Sequence, residues 1–430
     1  MGFALIGFFR RRFLRRHWVR MESVTNPPIN WKKNLFFIWL CQFLSIAGFS
    51  LALPFVPIYI RDRWGITGEH ELGLWMSAFY FFGMLSYCGS TPLWGVLADR
   101  FGRKLMLLRA CYVDGLLFPC FLLAPNPVWL IVVRFITSAF TGTVAAAQTL
   151  IVTNTPEEHH GFCLGTLSSA IWCGNLAGFA VGGVVVHHFG FTAAFLACGA
   201  LYLLAGASAH FFVRENFTPP PKGTLHKAGN PFRGLSAAAW MVSLMIIVMA
   251  IGRKFDEPYV ALMVERIAGP EKTALFTGWI SAVAALGGVG SGMVIGHLCD
   301  IWSAERITLP IALVAAAGMF AQAAAGSLFF FGTARFLNNL AAAGLEPAFF
   351  SILAKVSPAE RRGTVFGLAS SLRMGGILLG SALSGAVIWL AGVRFIFVTA
   401  GIFFLILVPM HLIARRLVGS ARNGEEKTLS

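Results

Sequence analysis

Twelve apolar stretches of about 20 residues or more follow one another along this chain with only short polar breaks. They lie near residues 35–60, 73–97, 105–124, 128–152, 162–188, 191–213, 235–262, 273–298, 305–330, 332–354, 364–390 and 393–414. As a helix rising about 1.5 Å per residue, each is long enough to cross a hydrocarbon layer about 30 Å thick. A helix also satisfies its own backbone hydrogen bonds where no water can. Hydrophobic residues make up 57% of the chain and charged residues only 12%, which excludes a string of soluble domains. The expectation is an all-α integral membrane protein with twelve transmembrane helices, whose even count puts both termini on one side.

The net charge of +15 has a topological origin. Arg10, Arg11, Arg12, Arg15, Arg16, Arg20, Lys32 and Lys33 precede the first stretch, and Arg100, Arg103 and Lys104 follow the second. Lys222, Lys227 and Arg233, then Arg361 and Arg362, then Arg415 and Arg416, fall on the same side of a twelve-span arrangement. The opposite loop at Pro125 to Pro127 carries no charge, so the positive-inside rule predicts cytoplasmic termini. With no soluble domain to present a basic patch, nucleic acid is not an expected partner; membrane lipids are. Residues 1–20 lack a small-residue cleavage site. Phe8 to Arg20 reads either as a basic segment on the inner leaflet or as a tail upstream of a true start at Met21.

The eight cysteines stand singly, almost all inside apolar stretches, and behave as small buried hydrophobes. His159-His160 and His187-His188 point to different helix faces, so no metal site is expected. No nucleophile–base pair or phosphate loop is present, and neither an enzyme nor a bound cofactor is predicted.

The chain repeats itself. Asp99 and Asp300, Arg134 and Arg335, and Pro57 and Pro258 are each 201 positions apart. Pro156 and Pro358, Gly161 and Gly363, Gly165 and Gly367, Gly190 and Gly392, and Phe195 and Phe397 are each 202 apart. Six helices separate the copies, so the halves share one orientation and should be related by an axis along the membrane normal. This predicts two parallel six-helix bundles, 34–213 and 235–414, with a basic segment at 1–33, a linker at 214–234 and a tail at 415–430. Pro219-Pro220-Pro221 stiffens the linker.

Gly95 to Lys104 reads G-V-L-A-D-R-F-G-R-K and returns in worn form at Gly296 to Asp300 as G-H-L-C-D. With the parallel repeat and the basic central linker, it resembles the major facilitator superfamily over residues 30–415. N-P-P-I-N-W-K-K-N-L before the first span and F-S-L-A-L-P-F-V-P-I-Y within it are similar to the bacterial drug:proton antiporter branch. The resemblance implies a monomeric secondary transporter of the inner membrane that carries a small-molecule substrate by alternating access and is energised by a proton gradient.

It also implies roles for particular residues. Gly95, Asp99, Arg100, Gly102, Arg103 and Lys104, with Asp300, would form a gating loop in which Asp99 bridges the halves when the cavity faces outward. Arg134 matches the arginine of the fourth-span motif, with Ser138 in place of its glycine, and either serves proton coupling or reaches the outer headgroups. G-N-L-A-G-F-A-V-G-G resembles the antiporter motif of the fifth span, with Phe179 in place of its proline. Gly174, Gly178 and Gly182, with Gly183, would let another helix come close.

The halves differ most at Arg253-Lys254-Phe255-Asp256-Glu257-Pro258, which aligns with the uncharged Ala52 to Pro57. Such asymmetry on a symmetric frame is where a substrate or coupling site is expected. The alternative is a neutral segment near the outer interface, with Arg253 and Glu257 paired at a spacing of four. Arg335 repeats Arg134, and Glu346 and Arg373 lie well inside the tenth and eleventh spans, where an ion pair across the cavity would be breakable by a proton or substrate. Asp114, in a span that is generally peripheral in this family, is the weaker candidate.

Two functions remain open at this level: proton-coupled efflux of lipophilic drugs, or transport of an anionic metabolite such as a siderophore or organic acid. A non-transporting sensor on the same frame is a third reading.

Overall fold

The computed structural model describes residues 30–217, 235–357 and 362–429. Most of the 1–33 segment, most of the linker and Arg361 lie outside the described residues. Among those described, 11 helices are long and apolar enough to cross a membrane. One of them, Glu157–Phe212, is 56 residues long and folds back at Gly190, whose φ of 76° and ψ of 178° leave the helical region. Residues 160–189 and 191–212 are therefore two spans, which makes twelve among the described residues.

Polar residues start the helices where the apolar runs begin. Asn30 Oδ1 accepts from Lys33 N at 3.1 Å, Ser236 Oγ from Ala239 N at 3.1 Å and Ser327 Oγ from Phe330 N at 3.3 Å. Asn126 caps the fourth span, with Pro127 at the first helical position, where its missing N–H is not needed.

The repeat is visible in the backbone. Gly392 (φ 84°) turns the eleventh span into the twelfth as Gly190 turns the fifth into the sixth. The first and seventh spans are interrupted within about one helical turn of equivalent positions, by short 3₁₀ turns at Leu53–Phe55 and Glu257–Tyr259. Within the first half, the opening span packs along the fifth and sixth; within the second, the seventh packs on the eleventh and twelfth. The halves meet where the second span (Glu69–Phe101) lies on the eleventh (Arg362–Ala391), and the fifth on the eighth (Thr273–Ile301). The last helix continues to Leu429, through the segment expected as a tail.

Candidate functional site

The break in the seventh span decides where its charges go. Pro258 has no N–H to give, and the helix Ala237–Lys254 stops before Phe255, resuming only at Val260. Arg253 and Lys254 consequently project from the last turn of that helix and Asp256 and Glu257 from the break, and all four line a cavity of about 320 Å³ between the halves. The segment thus faces the interior rather than the outer interface.

The expected Arg253–Glu257 pair does not form, because a spacing of four aligns side chains only on continuous helix. Arg253 Nη1 instead donates to Glu346 Oε2 at 2.8 Å, and Arg373 Nε lies 3.5 Å from Glu346 Oε1. Lys254 Nζ holds Glu257 Oε2 at 2.5 Å. Asp256, with a side chain only 3% exposed, is bonded to Arg335, whose Nη1 also donates to Gln322 Oε1 at 3.0 Å. The Glu346–Arg373 contact does not cross the cavity, since both residues belong to the second half.

The wall supplied by the first half is of another kind. Phe49, Leu53, Tyr80, Ile171, Trp172 and Phe179 face the same cavity, joined by Ser50, which donates to Asn175 Oδ1 at 2.6 Å. Behind this wall, Arg134 lies between the rings of Phe49 and Phe79, its guanidinium carbon 5.5 and 5.3 Å from their centroids. Asp114 is 1% exposed but does not line the cavity; Arg134 and Arg109 are the bases within its electrostatic reach. Arg109 itself stacks on Trp94 at 3.4 Å and donates to the Thr141 carbonyl.

The cavity is closed at one end. Among the described residues, every hydrogen bond and ion pair between the halves lies at the end away from the Asp99 loop. Arg61 pairs with Glu265 at 2.5 Å and Glu69 with Arg266 at 3.1 Å. Glu69 Oε1 also accepts from Val393 N at 2.7 Å, a carboxylate on the first amide of the last helix. Ser77 Oγ donates to the Ser381 carbonyl, and His70 Nδ1 meets that of Ile388 at 2.8 Å.

The family model of the Major Facilitator Superfamily matches residues 38–265 and again 235–429. The chain belongs to the major facilitator superfamily. Among curated relatives, the multi-drug resistance efflux pump PmrA homolog of Lactococcus lactis is 32% identical over 373 residues, covering 85% of this chain and 91% of that one. Multidrug resistance protein MdtG of Klebsiella pneumoniae is 29% identical over 412 residues, covering 95% and 100%. Solved superfamily structures share the fold. A bacterial homolog of the human lysosomal transporter Spinster, inward-facing and unoccupied, gives a TM-score of 0.69 at 18% identity, covering 91% of this chain and 98% of that one. The nucleoside transporter NupG (D323A mutant) gives 0.70 at 15%, covering 88% and 99%. The molecule is a multi-pass membrane protein and a secondary transporter.

Gly95 and Asp99 end the second span; Gly102, at φ 95°, breaks the chain before the third. Asp99 is exposed and its partner is Arg103 of the same loop, 3.6 Å away. Arg100 is exposed beside it. The amides of Arg103 and Lys104 donate to the two oxygens of Glu215 at 2.9 and 2.8 Å, so an acid from beyond the sixth span caps the third. The side chain of Asp300 lies outside the described set.

Gly174, Gly178 and Gly182 face the first span, where added Cβ atoms would lie 2.8, 2.5 and 2.5 Å from the carbonyl oxygens of Phe43, Ala47 and Leu51. Gly183 instead turns to the other half and touches Gly278 of the eighth span backbone to backbone.

Gln322, Glu215, Glu69 and Glu265 carry no mark of their roles in the residue order. Only a pair 201 positions apart, or a partner across the halves, would have marked them, and their equivalents are unrelated residues.

Proposed function

We propose that this transporter exports lipophilic small molecules from the cytoplasm across the inner membrane, acting as a monomer with cytoplasmic termini, and that protons entering in exchange drive it. The cavity carries this reading: it lies between two rocking halves, is sealed at one end, and sets an aromatic wall against a wall of paired acids and bases. Aromatic side chains hold apolar bodies of varied shape without fixed hydrogen bonds. Each acid opposite them sits beside a base, and whether it holds a proton depends on whether that base stays close. Asp256 and Glu346 are the proposed coupling carboxylates. The names of the curated relatives support drug export. In the opposite state, Asp99 would leave Arg103 and bridge the halves.

Purified protein in proteoliposomes, loaded with a fluorescent lipophilic dye, tests this. Dye should leave the lumen reached by the Asp99 end when protons are supplied from the other side. Efflux that is unchanged after the proton gradient is collapsed overturns the coupling; no flux of any dye in a panel of neutral, cationic and anionic compounds overturns the substrate reading.

A further inference from the structure

The ionic wall has one base too many, and the geometry says where. Lys254 is matched by Glu257, and Arg335 by Asp256. Arg253 and Arg373, however, share Glu346, one on each of its oxygens. Four bases face three acids, and the uncompensated positive charge belongs to this triad. Arg253 lines the cavity, and Glu346 and Arg373 continue from it through their ion pairs; the three side chains are 23%, 29% and 24% exposed, so none is sealed in protein. Tyr87 of the second span is within electrostatic reach of Arg373. An excess guanidinium at membrane depth is costly without a counter-charge. A planar guanidinium fork also suits carboxylate-type oxygens in pairs.

We propose that the cavity selects amphiphiles bearing one anionic group, a carboxylate or sulfonate, seated on Arg253 and Arg373 while an apolar body lies on Phe49, Tyr80, Trp172 and Phe179. This rests on the export reading above and names the class of compound within it. The anion adds the fourth negative charge the wall lacks. Glu346 acts as an internal competitor: by occupying both guanidiniums it keeps the empty site neutralised in part and sets how strongly an anion is held. A cation of the same shape meets the excess charge and is disfavoured.

Two fluorescent probes with the same aromatic body isolate the anionic group: 1-anilinonaphthalene-8-sulfonate and the neutral N-phenyl-1-naphthylamine. Their binding to the full-length protein in nanodiscs, corrected against empty nanodiscs, is compared. The sulfonate should bind about 10-fold more tightly, the range of one charged hydrogen bond. Arg373→Gln should abolish that ratio while changing the neutral probe by less than about 2-fold. Glu346→Gln frees both guanidiniums and should tighten the sulfonate several-fold, a gain that misfolding cannot mimic. A sulfonate bound no better than the neutral probe, or variants that shift both probes alike, overturns the proposal. If instead the binding ratio holds but proteoliposomes move neither probe, the export reading fails and the anion site stands.

Discussion

Arg134 in the fourth span and Arg335 in the tenth occupy the same place in the repeat, yet their surroundings share little. Arg335 is locked to Asp256 and Gln322. One repeat earlier, those two positions are Phe55 and Phe121, both buried in apolar contacts. Arg134 correspondingly lies among rings, and no acid is within ion-pair distance of it among the described residues. On one repeated frame, the positions around the arginine hold rings in one half and an acid and an amide in the other. An aromatic wall and an ionic wall facing each other is the result.

The sharpest test of that difference is to delete each arginine. Arg335→Met strands Asp256, a buried and now unpaired carboxylate, and should cost about 3–5 kcal/mol, read as a large fall in the melting temperature of the detergent-solubilised protein. Adding Asp256→Asn should recover much of that stability without recovering dye transport. Arg134→Met forfeits contacts with two rings and a distant acid, and should cost about 1–2 kcal/mol. Equal losses at the two sites would erase the distinction between the halves.

Glycines give a second contrast, within one half against between halves. Valine at Gly178 would press on the Ala47 carbonyl inside the first half, and at Gly278 on the Phe179 carbonyl of the other half, where a Cβ would lie 2.6 Å away. Overpacking of this kind costs about 1–3 kcal/mol. Gly178→Val should lower the melting temperature. Gly278→Val should leave it nearly unchanged, because the halves can separate to relieve the clash, and should instead lower transport by favouring the state in which that end is open.

Much of this architecture was readable from residue order alone. Runs of apolar residues give the spans, and fixed offsets such as Gly190 to Gly392 give the two bundles. The failure of the repeat at Arg253 to Glu257 also marked the cavity segment. What could not be read was partnership. A spacing of four pointed to Arg253 and Glu257, but the helix stops between them and hands Arg253 to Glu346, 93 residues away. The wall residues Phe49 and Phe179 are two of 40 phenylalanines, and nothing local separates a cavity ring from a lipid-facing one. Glu215 and Glu69 are single acids in ordinary loop and helix-start positions; their meaning comes from backbone amides on distant helices.

The smallest expected effects lie at the sealed end, and they bear on whether the two walls are held together or merely meet. Arg61–Glu265 and Glu69–Arg266 are partly exposed pairs, and such pairs contribute about 0.2–1 kcal/mol each. That is negligible for folding, but rocking is an equilibrium between two folded states, and about 1 kcal/mol there is about a 5-fold change in population. Glu265→Lys should therefore raise the share of molecules open at this end without altering the melting temperature. Spin labels at the exposed positions of Arg63 and Lys272, in a background without the native cysteines, would report it as a longer distance. The swap of Arg61→Glu with Glu265→Arg should restore the short distance, and raised salt should weaken the pair in the parent protein, since its charges are screened over about 8 Å at physiological ionic strength. If neither reversal nor salt moves the distance, the apolar contact of Gly183 with Gly278 and of the second span with the eleventh closes this end by itself, and the ion pairs only follow.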